Sequence, residues 1–177
     1  MQIVPLSPFF SCKDNSFQTF ISGTPYKSFI FAKIRDIIIF NNIPDYISAE
    51  ELRTAMESYV STFGFSIDRL AYNFISKERM LELNQKFLSH DTDTDIITFD
   101  YTKNKSLSAE IFISLWAVGL SAKEVSQSTE NETIRVLIHG ILHCLGHKDA
   151  NTEQKLKMRE LEDDFIKMFH VKQNSHV

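Results

Sequence analysis

The sequence predicts an α/β (α+β) fold, a single mixed β-sheet of about four strands packed by helices. Three observations predict it. Short apolar, β-rich runs interleave with stretches of helical period, turn and cap residues separate them, and no unit recurs along the chain. With 177 residues, 43% of them hydrophobic and 24% charged, and only five glycines and four prolines, one compact domain is expected. Collagen-like, mucin-like and wholly disordered chains are excluded.

Ile37 to Phe40 reads as a buried strand, ended by Asn41, Asn42 and Pro44. Ser48 and Glu51 have capping-box spacing, and Leu52, Ala55, Met56, Tyr59, Val60 and Phe63 continue at helical period until Gly64. Phe65 to Ile75 is strand-like, with imperfect alternation through Ile67, Leu70, Tyr72 and Phe74. Ser76 caps a helix carrying Met80, Leu81, Leu83 and Phe87. An acidic loop, His90 to Asp95, feeds the β-rich run Ile96 to Tyr101. A hairpin-like link through Lys103, Asn104 and Lys105 leads to Glu110 to Leu115, apolar enough on both faces for a central strand. Trp116 to Gln127 reads as a helix. From Glu130 to Leu145, the set Ile134, Leu137, Ile138, Ile141, Leu142 and Leu145 marks a strongly amphipathic helix that Gly146 terminates. Thr152 caps a last helix, 153 to about 169, with Leu156, Leu161, Phe165 and Phe169 as its expected core stripe.

Three of the four prolines lie in the first 25 residues, so residues 1–33 read as an N-terminal appendage, poorly ordered, to a domain spanning 34–170, with 171–177 a tail. The N-terminus lacks the basic region and unbroken apolar core of a secretory signal, and no apolar run approaches the ~18 residues of a membrane span. Cys12 and Cys144 form no CxxC pair, which supports neither a disulfide framework nor a cysteine-rich zinc module. A cytoplasmic protein without a membrane partner is expected. Nineteen basic against 23 acidic residues give a formal charge of -4, so a nucleic-acid partner requires a local basic face rather than a basic coat.

Three of the six histidines, His139, His143 and His147, fall within nine consecutive residues. On a helix His139 and His143 are one turn apart and project from the same side, so two imidazoles can meet one ion. The next turn moves about 5.4 Å along the axis, so a third ligand has to come from chain that bends back. Gly146 is placed for that bend as a left-handed C-cap residue. Asp149 and His147 compete for the third position. Glycine at offset seven and a ligand at offset ten reproduce the spacing of HExxHxxGxxH, which favours Asp149. Cys144, adjacent to His143, points about 100° away from it. A histidine pair alone is a common accident; the glycine break and the carboxylate beyond it make metal binding the better reading. Three protein ligands leave room for water, whose pKa zinc lowers to about 7. The sequence therefore points to metal-assisted hydrolysis by a metal-bound water, on a zinc-hydrolase-like fold with its metal site on a long central helix. Gly140 stands where HExxH peptidases carry their glutamate base, which disfavours peptide hydrolysis, and no other side-chain base is identified.

The segment HGxLHxxGxxD, preceded by Thr94-Asp95-Ile96-Ile97-Thr98-Phe99 and by Ile111-Phe112-Ile113-Ser114, resembles the YbeY family of bacterial endoribonucleases and rRNA maturation factors. The likeness runs from about Ile37 to Phe169 and includes Leu83-Asn84 together with Met158, Glu160 and Glu162. It implies one zinc ion and cleavage of single-stranded RNA in late 70S ribosome quality control and in maturation of the 3′ end of 16S rRNA. Ribosomal RNA, the small subunit and its assembly factors are the implied partners. His139 and His143 match the first two ligands, and Asp149 stands where the family usually has a third histidine. His147 falls where tyrosine is common, and Leu88 where many members carry an arginine that helps hold the RNA backbone. Lys86 and Lys148 are the replacement candidates for that arginine. The competing functions are a non-catalytic metal-binding assembly factor and a zinc hydrolase of another substrate.

Weaker features have simpler readings. Asp91, Asp93 and Asp95 are candidates to orient a ligand histidine, although acidic loops are usually just solvated. Thr98 is a candidate cleft residue or an ordinary strand threonine. Glu132 suits the helix dipole, and His90, His170 and His176 read as surface residues. Lys33 and Arg35 form no basic patch.

Overall fold

The computed structural model describes residues 37–87 and 94–174. The expected appendage at 1–33 and Lys33, Arg35, Leu88, His90, Asp91, Asp93 and His176 lie outside them. Strands β1 (Ile38–Asn41), β2 (Ser66–Ile75), β3 (Ile96–Asp100) and β4 (Ser106–Ser114) form one sheet in the order β1-β2-β4-β3. The first two pairings are parallel and β3 runs antiparallel to β4, so the sheet is mixed. The helices are α1 (Ala49–Thr62), α2 (Lys77–Phe87), α3 (Leu115–Glu124), α4 (Thr129–Cys144) and α5 (Thr152–Asn174). Among the described residues, no helix is long and apolar enough to cross a membrane.

Side-chain alternation divides the sheet into two unequal faces. Leu70, Tyr72 and Phe74 of β2 and Leu107, Ala109, Ile111 and Ile113 of β4 join the main core with residues from α1, α4 and α5. Ile97 and Phe99 point the other way, where Met80 and Leu83 of α2 and the half-buried Phe112 complete a smaller cluster. The imperfect alternation of β2 has a local cause. A bulge between Ile67 and Arg69 puts an extra residue into the strand, so Ile67 and Leu70 are three apart rather than two.

Local sequence sets most boundaries. Ser48 and Ser128 accept hydrogen bonds from the backbone N–H groups of Glu51 and Asn131 and so cap α1 and α4. Ser114 ends β4 and also caps α3, accepting from the N–H of Ala117. The β3–β4 link is a tight two-residue hairpin. Asn104 and Lys105 both take positive φ (49° and 61°), while Lys103 and Ser106 exchange backbone hydrogen bonds. That tight link lets β4 begin at Ser106, four residues before the apolar run that announced it, because Ser106, Ser108 and Ala109 carry little hydrophobic signal.

The last helix departs most from expectation. The side chain of Asn151, not Thr152, accepts from the N–H of Gln154, and the helix continues to Asn174, past residue 169 and through the first residues of the expected tail. Leu156 is 63% exposed and lies off the core, whereas Met158, Phe165, Ile166 and Phe169 are buried. Leu161, Phe165 and Phe169 of the expected stripe face the core, and the core-facing position that apolar periodicity misses is Glu162, a charged residue with 4% exposure.

Helix α4 lies hard against β3 and β4. A Cβ at Gly140 would come within 2.9 Å of Ile96 Cδ1, 3.1 Å of Thr98 Oγ1 and 3.3 Å of Ile111 Cδ1. The position beside His139 therefore faces the sheet. Gly140→Glu, which restores the HExxH pattern, is expected to lower unfolding stability by about 3 kcal/mol or more, because the added carboxylate is driven into the core without a partner. Urea denaturation measures this, and a variant within about 1 kcal/mol of wild type contradicts the packing.

Candidate metal centre

The histidine pair sits on the last two turns of α4, the one strip of its C-terminal half that the sheet and α5 leave partly open. His139 and His143 keep 23% and 11% of their side-chain surface, while Ile138, Ile141 and Leu142 beside them have none. After Leu145 the chain makes the glycine turn expected of it. Gly146 has φ +96°, its N–H donates to the His143 carbonyl, and the His147 N–H donates to the Leu142 carbonyl. This double closure is a Schellman motif, and it swings the following segment back across the helix end.

Asp149 consequently faces both imidazoles. Its Oδ2 lies 3.9 Å from His139 Nε2 and its Oδ1 lies 3.8 Å from His143 Nε2, while the two Nε2 atoms are 3.0 Å apart. One donor atom from each of the three residues lies within 4.8 Å of the others, a set that can hold a metal ion. An ion bound tetrahedrally at about 2.0–2.2 Å sets its donors roughly 3.4 Å apart. The observed separations bracket that spacing.

The other nitrogen of each ring decides whether the donors fit. His139 Nδ1 is 2.8 Å from Glu162 Oε1 and His143 Nδ1 is 3.0 Å from the His147 carbonyl oxygen. A carboxylate and a carbonyl only accept, so each Nδ1 carries the proton and each neutral ring turns a bare Nε2 lone pair toward the other. Two facing lone pairs call for a shared proton or a cation between them.

His147 thus contributes its backbone oxygen. Its imidazole packs edge-on against Phe63, 5.5 Å between ring centroids, outside the three-residue cluster. Cys144 is buried, and desolvation, reinforced by Asp100, pushes its thiol pKa well up, away from the thiolate that a metal would take.

A buried charge network backs the site. Arg135 donates to Glu162 Oε2 at 3.1 Å and to Asp163 Oδ1 at 2.8 Å, and its Nε lies 3.5 Å from Glu132 Oε2. Glu132 stands in the first turn of α4, as expected for the helix dipole, and is also 5% exposed and accepts a hydrogen bond from Ser121. The motif residue Glu162 bonds a histidine of the cluster, and Asp95, the acidic-loop candidate within the described residues, acts on His139 through its charge. The sequence signal for this network was faint: Arg135 and Glu162 are charged residues at core-facing positions of two amphipathic helices.

Other candidates fall elsewhere. Thr98 is buried beneath Gly140, its Oγ1 lacking a hydrogen-bond partner among the described residues, and so lines no cleft. Lys86 borders a cavity of about 330 Å³ with Arg79, Phe99, Glu110 and Phe112, on the α2 side of the sheet and away from α4. Lys148 is exposed on the turn between Gly146 and Asp149. His170 is not a free surface residue, since its Nε2 lies 2.7 Å from Asn131 Oδ1.

Electrostatics separates the histidines. Burial disfavours the His139 cation, but the hydrogen-bonded Glu162 carboxylate, with Asp149 and Asp95, outweighs it and holds the imidazole above its ordinary 6.5. Burial and the charge of His139 push His143 below the same value.

Comparison with known proteins agrees with this architecture. The family model described as Endoribonuclease YbeY matches residues 40–170. The Endoribonuclease YbeY of Flavobacterium psychrophilum is 39% identical over 142 residues, covering 78% of this chain and 100% of that protein. Its counterpart in Flavobacterium johnsoniae is 46% identical over 102 residues, covering 58% and 73%. The solution structure of TM1509 from Thermotoga maritima is similar with a TM-score of 0.60 at 25% identity, over 78% of this chain and 93% of that one.

Two outcomes are expected. Gly146→Ala costs about 1–2 kcal/mol in urea denaturation, a backbone effect because, among the described residues, no atom beyond its chain neighbours lies within 4 Å of the added Cβ. Metal affinity, measured by chelator competition, falls as pH drops through the titration of His139, starting above 6.5, because protonation of Nε2 removes the donor pair. Affinity unchanged between pH 8 and pH 6 contradicts that coupling.

Proposed function

The chain belongs to the Endoribonuclease YbeY family, and we propose that it is a zinc-dependent endoribonuclease of rRNA processing whose ion is held by His139, His143 and Asp149. The observation that carries the metal assignment is the convergence of two Nε2 atoms and a carboxylate on one point at the end of α4. The family match supports the reaction class. Its substrates are single-stranded segments of ribosomal RNA, in 3′-end maturation of the small-subunit rRNA and in late ribosome quality control. It works in the cytoplasm, with the small subunit and its assembly factors as partners.

The residues present suit such chemistry. When bound, a divalent ion supplies Lewis acidity to a phosphodiester oxygen and makes water nucleophilic near neutral pH. His139 and His143 offer neutral donors because Glu162 and the His147 carbonyl hold their Nδ1 protons. Asp149 brings a negative charge where the family usually has an imidazole, which makes the site one unit less positive and supplies an oxygen donor that zinc accepts. Gly140 supplies no carboxylate beside His139, and a Cβ there would press on Ile96, Thr98 and Ile111, which disfavours a peptidase-type base. In this reading Lys148, exposed on the ligand turn, meets a phosphate as a point charge, whereas Lys86 lies toward the opposite face of the sheet.

His143→Ala and Asp149→Ala are expected to lose stoichiometric zinc and to reduce cleavage of unstructured RNA to background, while His147→Ala retains the metal because only its main chain is used. Elemental analysis beside an RNA cleavage assay reads both. Metal retained by Asp149→Ala and lost by His147→Ala reverses the ligand assignment; stoichiometric zinc in a wild-type protein that leaves RNA intact overturns the catalytic reading. Lys148→Ala is expected to raise KM for RNA with little change in kcat, and Lys86→Ala to leave both unaltered.

A further inference from the structure

We infer that Glu162, clamped by Arg135, is the positioning residue for His139, and that zinc affinity depends on this carboxylate although it lies on a different helix from the histidines. The inference rests on the reading that His139 is a metal ligand. His143 is oriented locally, by a main-chain carbonyl four residues further along the same chain segment. His139 has no such acceptor. Its Nδ1–H is held instead by Glu162 Oε1, at 2.8 Å, from α5.

Three features distinguish Glu162 from an ordinary buried acid. It keeps only 6% of its side-chain surface, so its oxygens have little access to water as an alternative partner. Its two oxygens are divided between tasks, Oε1 to the imidazole and Oε2 to Arg135 at 3.1 Å, with Arg159 at 3.7 Å beyond. Arg135 is in turn fixed by Asp163 at 2.8 Å and Glu132 at 3.5 Å. The guanidinium is thus held by Glu132 on its own helix and by Asp163 on α5 as well as by Glu162. A buried pair of this kind contributes little to stability compared with apolar packing of the same volume. Orienting a ligand is what it adds: the carboxylate selects the Nδ1–H tautomer, fixes the ring plane and strengthens Nε2 as a donor.

The test uses the full chain, with zinc affinity measured by chelator competition and unfolding of the metal-free protein followed in urea. Glu162→Gln preserves shape and removes the charge; Asp163→Asn disturbs the same arginine without touching His139. The expected result is a loss of about 10–100-fold in zinc affinity for Glu162→Gln, with Asp163→Asn staying within a few-fold of wild type. Wild-type affinity in Glu162→Gln, or an equal loss in Asp163→Asn, overturns the inference. Should Glu162→Gln fail to fold, long-range proton–nitrogen NMR of the metal-free wild type at alkaline pH decides: a His139 proton on Nδ1 supports the assignment and one on Nε2 refutes it. This measurement needs no metal, so it stands apart from the ligand reading, which fails if the wild type binds no zinc.

Discussion

Helix α4 has almost no solvent-facing surface, and much of the structure follows from that constraint. The sheet covers it through Ile96, Thr98 and Ile111, and α3 and α5 pack along it, so polar residues on its interior sides need partners inside the protein. Arg135 and Glu132 find theirs in a buried ion network, and Thr133 bonds back to the Thr129 carbonyl. In its C-terminal half only the strip through His139 and His143 opens outward. A helix held this firmly presents its imidazoles in fixed rotamers, which a loop of the same residues does not do.

The close approach that locks α4 also decides its chemistry. Glycine at position 140 lets the helix sink onto β3 and β4, and the same choice removes the carboxylate that a peptidase would require beside its first histidine. Packing and reaction class are therefore linked at one residue. The Schellman turn at Gly146 performs a second double duty: closing the helix exposes the His147 carbonyl to His143 and carries Asp149 round to face both rings.

Buried charge is an expensive way to join α4 to α5, since desolvating Arg135, Glu132 and Glu162 costs more than apolar contacts of similar volume. The compensation lies in geometry rather than stability. A hydrophobic seam would allow α5 to slide relative to α4, whereas Glu162 bonded on both oxygens, together with the Tyr59 hydroxyl donating to the Leu161 carbonyl, fixes the register of α5 against both α1 and α4.

The strands, helices and several caps were legible because they arise from local causes: side-chain periodicity, serine hydroxyls at Ser48 and Ser76, and glycine at the end of α4. The pairing of His139 with His143, and the bend that brings Asp149 into play, are likewise consequences of helical spacing and a single left-handed residue. The core stripe of α5 was legible at Leu161, Phe165 and Phe169 but not at the exposed Leu156 or at Glu162, because apolar periodicity is blind to a charge that is buried with a partner. Nor was the carboxylate that bonds His139, which a distant helix supplies. By itself the sequence determined the sheet class, the helix that bears the histidines and the residues able to meet an ion. Only the tertiary structure decided that His147 serves through its main chain and that Glu162 holds His139, because hydrogen bonds between separate elements depend on how helices pack, and packing is not written in any local spacing.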